Sequence, residues 1–201
     1  MRIIRHADCR PMPWKNGGGV TTEIIAWPPA AGLDDFHWRI SMAQVAAGGP
    51  FSVFSGIDRT LTVLEGTMRL AIEGAGEHLL SRHSEPCVFP GDVATSAKLV
   101  DGPVLDFNVM TRRGSHNHRV RRLELAREAD IEAGDGTFLL FIASGAALIG
   151  VGEGTIDLGE RDTLCLDPGA GRLRIAPATA VSLLAVNIMS WRHPPLCRDV
   201  R

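Results

Sequence analysis

Short stretches in which apolar and polar residues alternate recur along this chain and predict β-strands. The stretch 105–111 reads Leu-Asp-Phe-Asn-Val-Met-Thr, so its Leu, Phe and Val fall on one face of a strand and its Asp, Asn and Met on the other. Strand-like stretches also occur at 21–26 and 38–43. One segment, 121–130, leans towards a helix instead.

Glycine-containing turns join further strand-like stretches into two predicted hairpins. In the first, 68–72 and 78–80 flank a Gly-Ala-Gly sequence, and in the second, 148–151 and 155–158 flank Gly-Glu-Gly. Glycine supplies the positive φ angle that tight hairpin turns need. The 22 Gly and 12 Pro residues are scattered along the chain, which fits many short elements joined by tight turns and predicts an all-β fold.

Four blocks of sequence occur twice in the same order, at offsets of 79, 78, 78 and 79 residues. The matched blocks are Leu61–Gly66 with Leu140–Gly145, Gly74–Gly76 with Gly152–Gly154, Cys87–Gly91 with Cys165–Gly169, and Leu105–Thr111 with Leu184–Ser190. The third block ends each time in a Pro-Gly turn, where Pro sets φ and Gly accepts a left-handed conformation.

The repeated unit predicts a small jelly-roll barrel of the cupin type, because it contains a strand, a hairpin, a Pro-Gly turn and a closing strand in that order. Two copies predict a bicupin, two cupin-like barrels in tandem. We place the N-terminal cupin, with an extended N-terminal segment, at 1–113 and the C-terminal cupin-like barrel at 114–201. A single all-β sandwich is the alternative.

Charge and cysteine content narrow the class of protein. The net charge of −2 and pI near 6.4 give no basic field for nucleic acid or an anionic membrane. Cys9, Cys87, Cys165 and Cys197 are widely spaced and form no CxxC pair, which suits reduced thiols. The N-terminus lacks the apolar region of a signal peptide, and no uncharged run makes a convincing membrane span. The sequence therefore predicts a cytoplasmic protein.

A metal centre of the usual cupin kind is not expected. Counting back from Gly66 along the metal-binding cupin pattern puts Arg59 at the Glu position and leaves no His at the ligand positions. The single HxH sequence, His116-Asn-His118, falls in an Arg-rich stretch that we interpret as a connector between the two copies. Two His residues without a third ligand bind metal weakly, so the sequence predicts neither a metal nor another cofactor.

The most unusual segment is Pro13–Glu23, which reads Pro-Trp-Lys-Asn-Gly-Gly-Gly-Val-Thr-Thr-Glu. Three consecutive glycines are entropically costly and allow the backbone to approach whatever lies opposite. The flanking residues offer an apolar plate, a cation, an amide and a carboxylate. It is not a phosphate-binding P-loop, since Lys precedes the glycines and no helix signal follows.

This segment resembles a motif of the HutD/Ves family, and further matches follow it in order. They are Trp38-Arg-Ile-Ser41, Gly49-Pro-Phe-Ser52, Gly56-Ile-Asp-Arg59, Leu64-Glu-Gly66 and Asp106-Phe-Asn-Val-Met110. The resemblance implies a bicupin fold and a soluble bacterial protein, with no metal in its pattern and no firmly attached catalytic activity. It links one branch to regulation of histidine utilisation and the other to an environmental stress response.

We predict a ligand site inside the N-terminal barrel, where a few polar groups would orient a small molecule. The candidate ligand-binding residues are Trp14, Lys15, Asn16, Thr21, Glu23, Arg39, Ser41, Phe51, Arg59, Asp106 and Asn108, with Asp58 beside Arg59. The arginines suit a carboxylate, Glu23 or Asp106 an amine or amide, and Trp14 or Phe51 a planar group. In the alternative, Arg59 and Asp106, or Arg39 and Glu23, merely form ion pairs that join strands.

Three classes of function remain open at this point. The first is a metal-independent binder of a carboxylate-bearing metabolite, such as urocanate or formylated glutamate, that regulates histidine or amino-acid catabolism. The second is a metal-free isomerase or hydrolase with Glu23 or Asp106 as general base. The third, a nucleic-acid-contacting regulator, would rest on the arginines between 112 and 127, which nearby acidic residues offset. No membrane partner is expected, and the oligomeric state is open, a homodimer included.

Overall fold

The computed structural model describes residues 1–15 and 17–191, which form nineteen β-strands and a 3-10 turn at His6–Asp8. The predicted ligand residue Asn16, like Cys197, lies outside the described residues. Within these ranges no helix is long and apolar enough to cross a membrane. The predicted all-β class is confirmed.

The N-terminal half forms two sheets. Its strands, with the preceding β1, are β1 Arg2–Ile4, β2 Pro11–Pro13, β3 Gly19–Trp27, β4 Trp38–Val45, β5 Gly49–Pro50, β6 Ile57–Glu65, β7 Thr67–Ile72, β8 Gly76–Ser81, β9 Cys87–Pro90, β10 Thr95–Leu99 and β11 Val104–Arg112. The order β2-β3-β4-β11-β6-β9 makes the N-terminal large sheet, and β5-β10-β7-β8 makes the N-terminal small sheet.

The C-terminal half forms two further sheets. Its strands are β12 His116–Leu125, β13 Ala129–Glu132, β14 Thr137–Ser144, β15 Ala147–Val151, β16 Gly154–Leu158, β17 Thr163–Leu166, β18 Arg172–Pro177 and β19 Val181–Ser190. The order β1-β17-β14-β19-β12 makes the C-terminal large sheet, and β13-β18-β15-β16 makes the C-terminal small sheet.

The sequence repeat corresponds to a repeat of topology. The order β4-β11-β6-β9 recurs as β12-β19-β14-β17, and β5-β10-β7-β8 recurs as β13-β18-β15-β16. A β-bulge interrupts β6 at Leu64 and β14 at Ala143, 79 positions apart. Gly66 and Gly145 follow these bulges with φ of 79° and 85°. The boundary at residue 113 stays a prediction, and β1 crosses it by pairing with β17.

The closing strands β11 and β19 do not pair with β6 and β14 in the register that their sequence match implies. Asp106 of β11 pairs with Val63 next to the first bulge, whereas Leu183 of β19 pairs with Ile142 next to the second. β11 therefore maps onto β19 at an offset of 77 residues rather than 79. A shift of two residues keeps every side chain on its own face, so alternation alone could not reveal it.

The two large sheets pack face to face through a shared apolar core. Phe107 and Val109 of β11 contact this core from one side, and Phe141 and Val186 from the other; the rings of Phe107 and Phe141 lie 4.6 Å apart between centroids. Each large sheet turns its other face to its own small sheet, around separate apolar clusters. The result is four stacked layers.

Three details of the sequence interpretation are wrong. The segment 121–130 contains no helix, because it contributes to β12 and β13, and all ten residues of β12 pair with β19. His116 and His118 therefore lie on a sheet strand and not in a connector. Gly91 does not adopt a left-handed φ; instead, a Cβ there would lie 3.1 Å from the Ile57 carbonyl oxygen.

Candidate functional site

The polar candidates lie on the face of the N-terminal large sheet that is turned towards the small sheet. Strand alternation explains this, since Phe107 and Val109 contact the opposite large sheet and Asp106 and Asn108 must then point the other way. Arg59 on β6 and Arg39 and Ser41 on β4 belong to the same face. These five side chains are all buried, and we call them, with Glu23, the polar cluster.

Asn108 connects the buried Arg59 and Asp106. Arg59 Nε and Nη2 donate to Asn108 Oδ1 at 2.9 and 2.6 Å, and Asn108 Nδ2 donates to Asp106 Oδ1. Asp106 Oδ2 is buried and has no hydrogen-bond partner among the described residues. The sequence suggested a direct Arg59–Asp106 pair as the structural alternative; the two charges are instead joined through an amide.

Burial has the largest effect on the pKa values of Asp106 and Arg59. It raises the pKa of Asp106 to about 6, although Arg59 and the Asn108 hydrogen bond oppose the rise. It also lowers the pKa of Arg59 to about 10, which Asp106 opposes and Arg39 reinforces. Near neutral pH the cluster therefore holds a guanidinium beside a carboxylate that is easily protonated.

A direct ion pair between Arg39 and Glu23 continues the cluster towards solvent. Arg39 Nε donates to Glu23 Oε2 at 2.7 Å, and Arg39 Nη1 lies 3.4 Å from Ser41 Oγ. The Arg39 side chain is 6% exposed, but that of Glu23 is 36% exposed. Glu23 therefore lies on the side from which solvent reaches the cluster. The ion pair between Arg39 and Glu23, which the sequence offered as a purely structural link between strands, is present and joins β4 to β3.

Trp14 packs on the β3 backbone at the edge of the cluster. Its Nε1 donates to Thr21 Oγ1 at 2.7 Å, and a Cβ added to Gly19 would lie 3.0 Å from its ring and 2.5 Å from the Gln44 carbonyl oxygen. The close backbone approach predicted for the glycine segment is thus found at Gly19. Lys15 is exposed on the adjoining turn and forms no hydrogen bond or ion pair with the described residues of the cluster.

Gly19→Ala should destabilise the protein by about 1–3 kcal/mol, because the added methyl overpacks against Gln44 and Trp14. Gly49→Ala is the matched control, since nothing lies within 4 Å of a Cβ there. Urea unfolding of both variants measures the difference. Equal stability of the two would contradict a close approach at Gly19.

Aromatic rings cover the Arg59 guanidinium. Its Cζ lies 4.7 Å from the centroid of Phe51 and 5.6 Å from that of Phe89, both within cation–π range. Phe51 was a candidate from the sequence, but Phe89 was missed. Phe89 lies opposite Arg59 in the pairing of β9 with β6 and shares its face, and that long-range register has no local signal in the sequence.

Asp58 is not part of the cluster, contrary to its pairing with Arg59 in the sequence interpretation. Neighbouring residues of a strand point to opposite faces, and Asp58 instead accepts from Arg113 Nε at 2.8 Å. Arg113 also forms an ion pair with Asp92, so its guanidinium is held at the protein surface by two carboxylates. Arg112 likewise donates to the Phe36 and Asp34 carbonyl oxygens.

Up to residue 191, where the described part of the chain ends, the C-terminal half has no such cluster. In the register set by the bulges, the counterparts of Arg59, Asp106 and Asn108 are Phe138, Leu183 and Ala185, all within the apolar core of that half. Among the described residues no group of three His, Cys, Asp or Glu side chains could hold a metal ion.

The repeated pairs of sheets define a cupin-like β protein. The Cupin 2 conserved barrel domain protein from Leptotrichia buccalis superposes with a TM-score of 0.59 over 92% of this chain and 100% of that one, at 10% identity.

The chain belongs to the HutD/Ves family, since the HutD family model matches residues 6–184. Protein Ves of Citrobacter koseri is 38% identical over 178 residues, which is 86% of this chain and 87% of that protein. HutD from Pseudomonas fluorescens SBW25 shares 29% identity with a TM-score of 0.79, over 95% of this chain and 99% of that one. A conserved protein of unknown function from Pseudomonas aeruginosa PAO1 shares 34% identity with a TM-score of 0.86, over 93% and 97%.

Proposed function

We propose that this chain is a bicupin that binds a small carboxylate-bearing metabolite at the polar cluster of its N-terminal barrel, without a metal, and thereby regulates histidine or amino-acid catabolism. The observation that carries the proposal is the buried Arg59–Asn108–Asp106 arrangement with its unpartnered carboxylate oxygen. We further expect it to act in the cytoplasm, where Cys9, Cys87 and Cys165, all free thiols, would stay reduced.

The free-energy cost of burying charged side chains supports a functional reason for the polar cluster. Buried ion pairs often contribute less stability than apolar residues of similar volume. The same fold position in the C-terminal half is filled by Phe138, Leu183 and Ala185, so the architecture does not need charges there. Retaining Arg59 and Asp106 in one half only is the pattern expected of a binding site.

The chemistry of the cluster suits a ligand with two kinds of polar group. A carboxylate would take charge-assisted hydrogen bonds from the arginines on the cluster face. An N–H group would find an acceptor in Asp106 Oδ2, and Phe51 and Trp14 offer apolar surfaces for a planar body. Urocanate combines a carboxylate, an N–H group and a planar body, and formylated glutamate combines the first two, which agrees with the histidine-utilisation branch of the family.

Isothermal titration calorimetry with urocanate, histidine, glutamate and N-formylglutamate tests the proposal. We expect saturable binding of at least one, weakened about tenfold or more by Arg39→Gln because a charge-assisted hydrogen bond is lost. Arg113→Gln, which removes an exposed arginine outside the cluster, should bind like the wild type. Absence of binding by all four, together with salt-dependent DNA binding, would favour the nucleic-acid alternative.

A metal-free enzyme is the second candidate, favoured by the raised pKa of Asp106, about 6, which suits a general base near neutral pH. NMR spectra of a bound ligand over time decide between the two. If the wild type never converts a ligand that it binds, the enzyme hypothesis fails; if it does, Asp106→Asn should abolish turnover.

A further inference from the structure

The repeated topology has an open position in the C-terminal half. In the N-terminal large sheet, β3 pairs with β4, and β2 follows β3. The counterpart of β4 is β12, which is the last strand of the C-terminal large sheet and has no neighbouring strand on its outer side among the described residues. None of the ten residues of β12 is buried, whereas seven of the eight residues of β4 are. The outer edge of β12 is therefore open where the N-terminal half holds a strand.

This edge differs from the other edges of the two large sheets. β1 has three residues, β2 is bounded by Pro11 and Pro13, and β9 has four residues and ends at Pro90. Short strands and prolines prevent a further strand from adding to an edge. β12 has ten residues and contains no proline, so it offers a long row of backbone groups.

The hydrogen bonds of β12 indicate which of its backbone groups face outwards. Trp191 N donates to the Ser115 carbonyl oxygen, and the next residues, His116 and Ser190, lie opposite each other. Hydrogen-bonded and non-hydrogen-bonded pairs alternate in an antiparallel ladder, so the odd-numbered residues of β12 bond to β19. The N–H and C=O groups of the even-numbered residues consequently point to the open edge.

The structural repeat places Arg119 where the N-terminal half has Arg39. Arg39 pairs with Met110 and Arg119 pairs with Asn187 in the two sheets, and these partners are related by the offset of 77 residues between β11 and β19. In the N-terminal half the strand beside β4 supplies Glu23, which forms an ion pair with Arg39. An equivalent strand beside β12 would bring a carboxylate to Arg119.

The charge on β12 favours an acidic partner over a second copy of this chain. Arg119 and Arg121 are exposed, and their side chains form no hydrogen bond or ion pair with the described residues. Two copies of β12 paired antiparallel about these arginines would set them against each other, and like charges opposite each other destabilise a sheet. An acidic strand would instead pair with both arginines.

An exposed apolar side chain lies beside the same edge. His118 Nε2 and Thr60 Oγ1 are hydrogen-bonded at 2.7 Å, so β12 packs over β6. Because Phe107 of β11, on one side of β6, contacts β14, β9 on the other side of β6 lies beyond the edge of β12. Val88 of β9 pairs with Thr60 and shares its face, and it is 71% exposed. A strand added to β12 would cover Val88.

We propose that the open edge of β12 binds an extended acidic segment of a partner protein by antiparallel strand addition, in the way that β3 pairs with β4. Alternate residues of that segment hydrogen-bond to the even-numbered residues of β12, and their apolar side chains cover Val88. The residues between them carry carboxylates that pair with Arg119 and Arg121. These arginines lie in the half that lacks the polar cluster, so this edge is separate from the proposed ligand site.

A labelled peptide of four Glu-Val repeats is the probe, with Lys-Val repeats as the matched control, and fluorescence anisotropy measures binding. We expect saturable binding of the Glu-Val peptide, at least about tenfold tighter than that of the Lys-Val peptide, and a shift of the Val88 methyl resonances. N-methylation of the valines should abolish binding, because their N–H groups face β12. N-methylation of the glutamates should preserve it.

Charge reversal tests the arginines. Arg119→Glu combined with Arg121→Glu should abolish binding of the Glu-Val peptide and confer binding on the Lys-Val peptide. Arg10→Glu is the control and should bind like the wild type, since Arg10 is also exposed but precedes β2, at the far edge of the N-terminal large sheet. Metabolite binding at the polar cluster should be unchanged in the double variant, so the two proposals fail separately.

Equal binding of the two N-methylated peptides would overturn strand addition, because a purely electrostatic contact does not distinguish them. Unchanged binding by the double variant, or no saturable binding by the wild type, would also overturn the proposal. So would a DNA duplex that binds to these arginines while the peptide does not, or a dimer in sedimentation that the double variant abolishes. If the double variant fails to fold, the two N-methylated peptides on the wild type still decide.

Discussion

Arg59→Met should lower the free energy of unfolding by about 3–5 kcal/mol at pH 8, the usual cost of removing one partner from a buried charge network. The methionine keeps most of the side-chain volume under Phe51 and Phe89, so a cavity contributes little. What is lost is the positive charge near Asp106 and both donors to Asn108 Oδ1. The Asn108 oxygen then stays buried without its donors.

Urea unfolding at pH 8 measures this loss, with Arg69→Met as the matched control. Arg69 is a half-exposed arginine whose ion pair with Glu77 should contribute less than about 1 kcal/mol. Adding Asp106→Asn to Arg59→Met should recover much of the stability, because the remaining buried charge disappears. If Arg59→Met lies within about 1 kcal/mol of the wild type, the guanidinium does not stabilise the cluster.

Part of the polar cluster was predictable from the sequence because strand alternation fixes which residues of one strand share a face. Asp106 and Asn108 share a face of any strand that contains them, and the glycine segment signalled a close approach that occurs at Gly19. Arg59 joins that face only through the register of β6 with β11. Alternation does not determine which of several polar groups will touch. That Asn108 binds both charges, and that Asp58 turns to Arg113, depends on the pairing of β6 with β11.

The parts that sequence reasoning missed depend on long-range pairing. The stretch 121–130 is rich in charged residues that favour helices, yet partners along the whole of β12 override that preference. The two-residue shift between β11 and β19 is invisible in the repeat because both registers keep the same alternation.

Asp106→Asn should raise the free energy of unfolding by about 3 kcal/mol at pH 8 and leave it nearly unchanged near pH 3.5. The folded-state pKa of Asp106, about 6, exceeds its unfolded value of about 3.9, so unfolding releases a proton between these two values. The wild type consequently loses stability as the pH rises from about 4 to about 6, and the loss is complete above that range. Asparagine mimics the protonated side chain and removes this loss. Unlike Arg59→Met, this variant leaves the hydrogen bonds from Arg59 to Asn108 and its contacts with Phe51 and Phe89 in place, so it does not incur the cost of an unpaired buried group.

Urea unfolding of both proteins across pH 3.5–8 measures the difference between the two stability curves, which also cancels the contributions of the other carboxylates. Asp101→Asn, on an exposed turn before β11, is the control and should run parallel to the wild type. A difference between Asp106→Asn and the wild type that stays constant with pH would show that Asp106 titrates normally. The expected gain means that the native carboxylate is kept at a cost in stability, as a group that acts on a ligand would be.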